Sequence, residues 1–110
     1  MISFHGRTLS IDGLTHELDH PIASAVEMND QVIVLYDPDA FTAKVGQFQN
    51  LIAVARDGTI RWKAELPSTT TGDRYYRFTL AGALRAASVF SEVCDVDLAN
   101  GRILRKEFVK

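Results

Sequence analysis

The chain has 110 residues, 46% of them hydrophobic, with 12 Lys and Arg against 14 Asp and Glu for a formal charge of −2. That size predicts one domain over residues 1–110, that composition argues against disorder, and cations dispersed with no run longer than Arg105-Lys106 argue against a nucleic-acid partner while leaving open a charge bias confined to one face. No apolar run approaches the roughly 20 residues that span a bilayer, residues 1–7 lack the charge-then-apolar pattern of a leader, and a single cysteine, Cys94, leaves no intramolecular disulfide, so a soluble, cytoplasmic protein with no membrane partner is expected.

Thr8–Ile11 places Leu9 and Ile11 on one face and runs into Asp12-Gly13, a turn dipeptide. His16-Glu17-Leu18-Asp19-His20 then fits H-E-x-x-H. On a helix this spacing turns two imidazoles toward one zinc ion, with the glutamate as general base. Gly13 before it and Pro21 after it leave room for only about two helical turns. His16 and His20 are therefore candidate metal ligands for a metal-dependent hydrolase, and the competing reading is a polar loop between strands.

After Pro21, Ile22–Met28 reads as a strand with Ile22, Ser24, Val26 and Met28 on one face. Asn29-Asp30 supplies a turn. Gln31–Tyr36 is apolar on both faces and β-branched, the pattern of a central strand. Asp37-Pro38-Asp39 has turn chemistry, and its two carboxylates make Asp37 and Asp39 candidate binding residues. Phe41–Phe48 has mixed spacing that suits a short helical turn.

Leu51–Arg56 and Thr59–Leu66 alternate around Asp57-Gly58, the strongest short-range hairpin signal. Ile60, Trp62, Ala64 and Leu66 share one face; Arg61, Lys63 and Glu65 share the other. Ser68–Arg74 is the most polar segment and reads as a surface loop. Arg74-Tyr75-Tyr76-Arg77 follows. Tyrosine and arginine are enriched at interface hot spots, which makes Arg74, Tyr75 and Tyr76 candidate binding residues; the competing reading sends one tyrosine inward.

Tyr75–Leu80 is a strand with Phe78 and Leu80 inward. Ala81–Phe90 is rich in helix formers, but Gly82 and the flanking strands favour a strand. Glu92–Asp97 and Arg102–Val109 make a last hairpin around Asn100-Gly101, with Cys94 as a small core residue. The fold class expected is all-β, built from antiparallel hairpin repeats.

The turn glycines Gly58 and Gly101 are 43 residues apart, and Gly13 precedes Gly58 by 45. The phrases Asn50–Trp62 and Cys94–Leu104 resemble the blade signature of quinoprotein-like β-propellers, an Ala-x-Asp segment, a Gly turn and a Trp-bearing strand. Trp62 stands at the Trp position, and Arg105 stands there in the second copy. A propeller needs four or more blades of roughly 40 residues, and this chain holds about two and a half. The resemblance therefore implies either a half-propeller that pairs as a homodimer or hairpins that wrap into a small twisted sheet or sandwich. The quinone cofactor of complete propellers is not implied, and no cofactor is expected.

No G-x-S-x-G elbow, EF-hand or phosphate loop occurs. With no catalytic cluster, the function expected is non-enzymatic binding of a partner protein, for instance to inhibit or neutralise it in the manner of immunity proteins. Metal-dependent hydrolysis and a self-associating structural module are the alternatives.

Overall fold

The structure, a computed structural model, describes residues 1–28, 30–40 and 48–108. The turn expected over Phe41–Phe48 lies outside these residues except for Phe48, as do Asn29 of the Asn29-Asp30 turn and Val109 of the last strand. Among the described residues the chain is all-β. The strands are β1 (Ile2–His5), β2 (Thr8–Ile11), β3 (Leu14–Glu17), β4 (Ile22–Glu27), β5 (Gln31–Tyr36), β6 (Leu51–Ala55), β7 (Ile60–Lys63), β8 (Tyr75–Leu80), β9 (Leu84–Ser88), β10 (Glu92–Val96) and β11 (Ile103–Phe108). One 3-10 turn, Pro38–Ala40, follows β5.

Short strands joined by tight turns pair with their sequence neighbours, so each sheet is an antiparallel meander. The first sheet runs β1-β2-β3, the second β4-β5-β6-β7 and the third β8-β9-β10-β11. The second lies between the other two. Val32, Val34, Ile52 and Val54 on one of its faces pack with Leu9 and Ile11 of the first sheet. Ile33, Leu35, Leu51 and Ala53 on the other face pack with Leu84, Ala86, Cys94 and Val96 of the third. This explains the doubly apolar β5: all six of its residues are buried because both faces are covered.

The two ends of the stack are polar. Register places Ser3, Ser10 and Thr15 in one row, and His5, Thr8 and Glu17 in another, on the far face of the first sheet. The far face of the third carries Arg77, Thr79, Arg85, Asp95, Arg105 and Glu107. Arg85 pairs with Asp95 at 3.6 Å and with Glu107, and Arg105 pairs with Asp95 at 3.2 Å. Wet outer faces are what the ends of a stacked-repeat structure require. The three sheets form an open stack and do not close into a propeller.

The same contact joins successive sheets twice. A ring on the strand after one turn glycine covers the turn glycine of the next sheet. His16, after Gly13, lies over Gly58, where any Cβ would collide with its imidazole. Trp62, after Gly58, lies over Gly101, where a Cβ would sit 2.6 Å from the indole, and its N–H donates to the Leu98 carbonyl at 2.9 Å. Both glycines also hold a positive φ, +92° and +79°, which side chains resist.

Two departures from the expected pattern have physical causes. Strands β1 and β3 were not expected, because half of each faces water with Ser, Thr, His and Glu and their apolar period is only two residues deep. Bulges move side chains between faces, since one extra residue reverses the alternation. A bulge opposite Ala53/Val54 sends Ile60 to the first sheet's layer and Trp62 to the third's, so the two do not share a face. Another between Ile22 and Ser24 separates Ile22 from Ser24, Val26 and Met28. The segment 81–90, expected as strand, contains β9.

Candidate functional site

The most distinctive surface is the end of the third sheet where β8 begins and β9 turns into β10. A bulge between Tyr75 and Arg77 splits the two tyrosines. Tyr75 turns inward, 1% exposed, and its hydroxyl donates to the Glu65 carbonyl at 2.8 Å. Burial drives its phenol pKa well above the ordinary value. Tyr76 turns outward, 44% exposed, with the Arg77 guanidinium 5.5 Å from its ring centre, a cation–π distance. Tyr75 is thus corrected from binding residue to core residue.

The β9–β10 turn exposes Val89 and Phe90, the latter 47%. Apolar side chains are unusual in so tight a turn, and the backbone beneath them is heavily tied. The Ser88 hydroxyl, buried, accepts the N–H groups of Phe90 (3.2 Å) and Glu92 (3.1 Å). The buried Asp73 carboxylate accepts the N–H groups of Arg74 (3.0 Å) and Phe90 (3.3 Å) and the Ser68 hydroxyl (2.5 Å). Ser91 takes φ +72°, a costly backbone for a residue with a Cβ. Beside the turn lies a groove of about 500 Å³ lined by Tyr76, Arg77, Ala87, Val89, Glu92 and Val93. Arg77 has no carboxylate in ion-pair range among the described residues, whereas Arg85 and Arg105 on the same face are paired.

Asn50, fully buried, fastens this end to the second sheet. Its amide donates to the carbonyls of Tyr36 (3.2 Å) and Tyr75 (2.6 Å), and its oxygen accepts the Tyr75 N–H at 3.0 Å. Arg74 donates through Nε to the Pro38 carbonyl and through Nη1 to the Gly72 carbonyl, both at 2.7 Å. It thereby joins the Asp37-Pro38-Asp39 turn to the polar loop, bringing those candidates together. The Asp37 carboxylate caps its own turn by accepting the Asp39 N–H at 2.9 Å, and the Ala40 N–H bonds the Asp37 carbonyl. That is an Asx turn; only Asp39 remains outward. Asp73, Ser88, Val89 and Phe90 were not singled out in the sequence, although an apolar pair just before Ser91-Glu92, between two strands, was a visible anomaly.

H-E-x-x-H does not form the helix that zinc ligation needs. His16 and Glu17 are successive residues of β3 and point to opposite faces. His16 covers the Gly58 turn, while His20 packs edge-on against Tyr36 (5.1 Å) and Phe48 (4.8 Å). Among the described residues no three His, Cys, Asp or Glu are grouped to hold a metal. Cys94 is buried and its thiol pKa is raised by that burial, which marks an unreactive core thiol. Among the described residues no helix is long and apolar enough to cross a membrane.

The chain belongs to the family described as a domain of unknown function, DUF7957. That family's model matches residues 1–108. No curated protein matches the sequence. Among solved structures the chain is similar to the crystal structure of the computationally designed Ika8 protein, with a TM-score of 0.59 over 96% of this chain and 8% identity. The chain spans about a third of that protein's length, 35%. At that identity the likeness is one of fold alone.

Proposed function

We propose that this domain is a non-enzymatic protein-binding module that presents the end of its third sheet to a folded partner. The carrying observation is a groove lined by the exposed Tyr76 and Val89, with the exposed Phe90 next in the same turn, whose backbone is fixed by the buried groups Asp73, Ser88 and Asn50. Ordering costs are already met in a rigid turn, so contacts made there convert to affinity efficiently. The partner that fits offers an apolar anchor to the Val89–Val93 groove and a carboxylate to the unpaired Arg77. Aromatic residues with a neighbouring Arg are the usual energetic centre of such interfaces. Tyr75 and Cys94, whose phenol and thiol pKa values are raised by burial, are sealed in the core, which supports binding over catalysis.

A photo-crosslinking residue at position 76 or 90, compared with one at position 10 on the opposite end, tests the reading in extracts of the source cell. A discrete adduct with a different protein from 76 and 90, lost on Phe90→Asp, is expected. Adducts formed equally from position 10, or none from 76 and 90, would overturn it. If binding neutralises the partner, the partner's own activity falls on adding the wild-type domain and recovers with Phe90→Asp.

A further inference from the structure

We infer that β11 is an interface for a second copy of this chain, which adds its own β11 antiparallel so that two third sheets become one eight-stranded sheet. Strand β11 is an edge strand, and residues Leu104 to Phe108 are all exposed. An edge leaves a row of backbone donors and acceptors unpaired. Leu104 and Phe108 are 68% and 64% exposed, among the most exposed large apolar residues of the chain.

Charges on an edge strand ordinarily repel further strands. Here their order is self-complementary. Leu104 is the extra residue of a bulge, since Arg105 pairs with Asp95 and Ile103 with Val96, and the regular edge is Arg105–Phe108. Run antiparallel about Lys106, it places Arg105 opposite Glu107 twice, as a two-fold axis demands. The registers two residues to either side oppose Arg105 to Arg105 or Glu107 to Glu107. The one unfavourable pair, Lys106 with itself on the axis, is relieved because its ammonium reaches back to the Pro67 carbonyl of its own chain at 3.0 Å. The new Arg105–Glu107 pairs extend the ladder already formed by Arg85, Asp95, Arg105 and Glu107 across the outer face. None of Leu104 to Phe108 lines the Val89–Val93 groove, although Glu107 and Phe108 pair with Val93 and Glu92, and the inference rests on the strand edge and not on the partner-binding reading.

The test is sedimentation equilibrium from micromolar to millimolar concentration. The wild-type chain shows a reversible monomer–dimer equilibrium, and amides of Leu104 to Phe108 gain exchange protection as concentration rises. Arg105→Glu and Glu107→Arg, each alone, set like charges opposite one another and weaken the dimer by about tenfold or more. Mixed in equal amounts they oppose Glu to Arg at both positions and dimerise again. A wild-type chain that stays monomeric, a dimer that leaves exchange at Leu104 to Phe108 unchanged, or folded variants that associate no better mixed than alone would overturn the inference.

Discussion

The two junctions of the stack use one device with unequal chemistry. Between the second and third sheets, Trp62 covers Gly101, fills an apolar layer and satisfies its N–H on Leu98, while Asn50 adds two buried hydrogen bonds to the Tyr75 backbone. Between the first and second, His16 covers Gly58, but its Nε2 is buried without a hydrogen-bond partner. Among the described residues, the polar ties that cross there are one backbone hydrogen bond, from the Ile22 N–H to the Gly6 carbonyl at 2.8 Å, and two surface ion pairs, Arg56 with Asp12 (3.2 Å) and the Met1 amine with Glu27 (3.0 Å). Exposed ion pairs contribute little. Geometry repeats along the chain; strength does not. The binding end proposed above sits on the strongly docked sheet, and the first sheet is the looser cover.

Trp62→Ala breaks the strong junction most severely. Loss of a buried tryptophan costs about 3–5 kcal/mol, read as a fall in denaturant midpoint. Asn50→Ala comes next, because it strands the buried Tyr75 N–H and two carbonyls; about 2–3 kcal/mol is expected, again from equilibrium unfolding. Gly101→Ala meets both a positive φ and the indole, and costs about 1–2 kcal/mol or more.

The weaker junction responds to pH. Asp12 has its carboxyl pKa lowered, chiefly by hydrogen bonding to the Met1 amine, and Glu27 has its own lowered, chiefly by hydrogen bonding to Arg56. Depressed carboxyl pKa values supply stability above the unfolded carboxylate range and lose it as pH falls through and below that range. Acidification should therefore loosen the first sheet before the third, seen as earlier loss of amide protection at Leu9 and Ile11 than at Cys94 and Val96. The smallest effect sharpens the comparison from the other side. His16→Phe keeps a ring over Gly58 and removes the buried unpartnered nitrogen, so stability should hold or rise by up to about 1 kcal/mol. A loss of more than that would show that the imidazole serves in some other way.

What was legible in the sequence follows the physics of period and turn. β5 reads as a doubly buried strand because the five consecutive apolar residues Val32–Tyr36 admit little else. The β6–β7 hairpin followed from Asp57-Gly58, and β8 from its aromatic alternation. Bulges are absent from any hydrophobic pattern, and one of them decides that Tyr75 is core while Tyr76 is surface. Of the first sheet β2 is legible, through Leu9 and Ile11 before Asp12-Gly13, whereas β1 and β3 are hidden because they are four residues long and largely exposed. His16 was noticed for a metal motif, whereas its place in the fold is that of Trp62 one sheet earlier. The binding end was half legible: Arg74-Tyr75-Tyr76 pointed toward it, but the turn that completes it arrives from β9–β10 through Asp73 and Ser88.

Native-state hydrogen exchange as a function of denaturant tests the unequal junctions most directly. The account predicts that amides of β2 exchange through a partial opening of lower free energy, while those of β5, β6, β9 and β10 exchange only with global unfolding. A single opening free energy shared by all three sheets would contradict it.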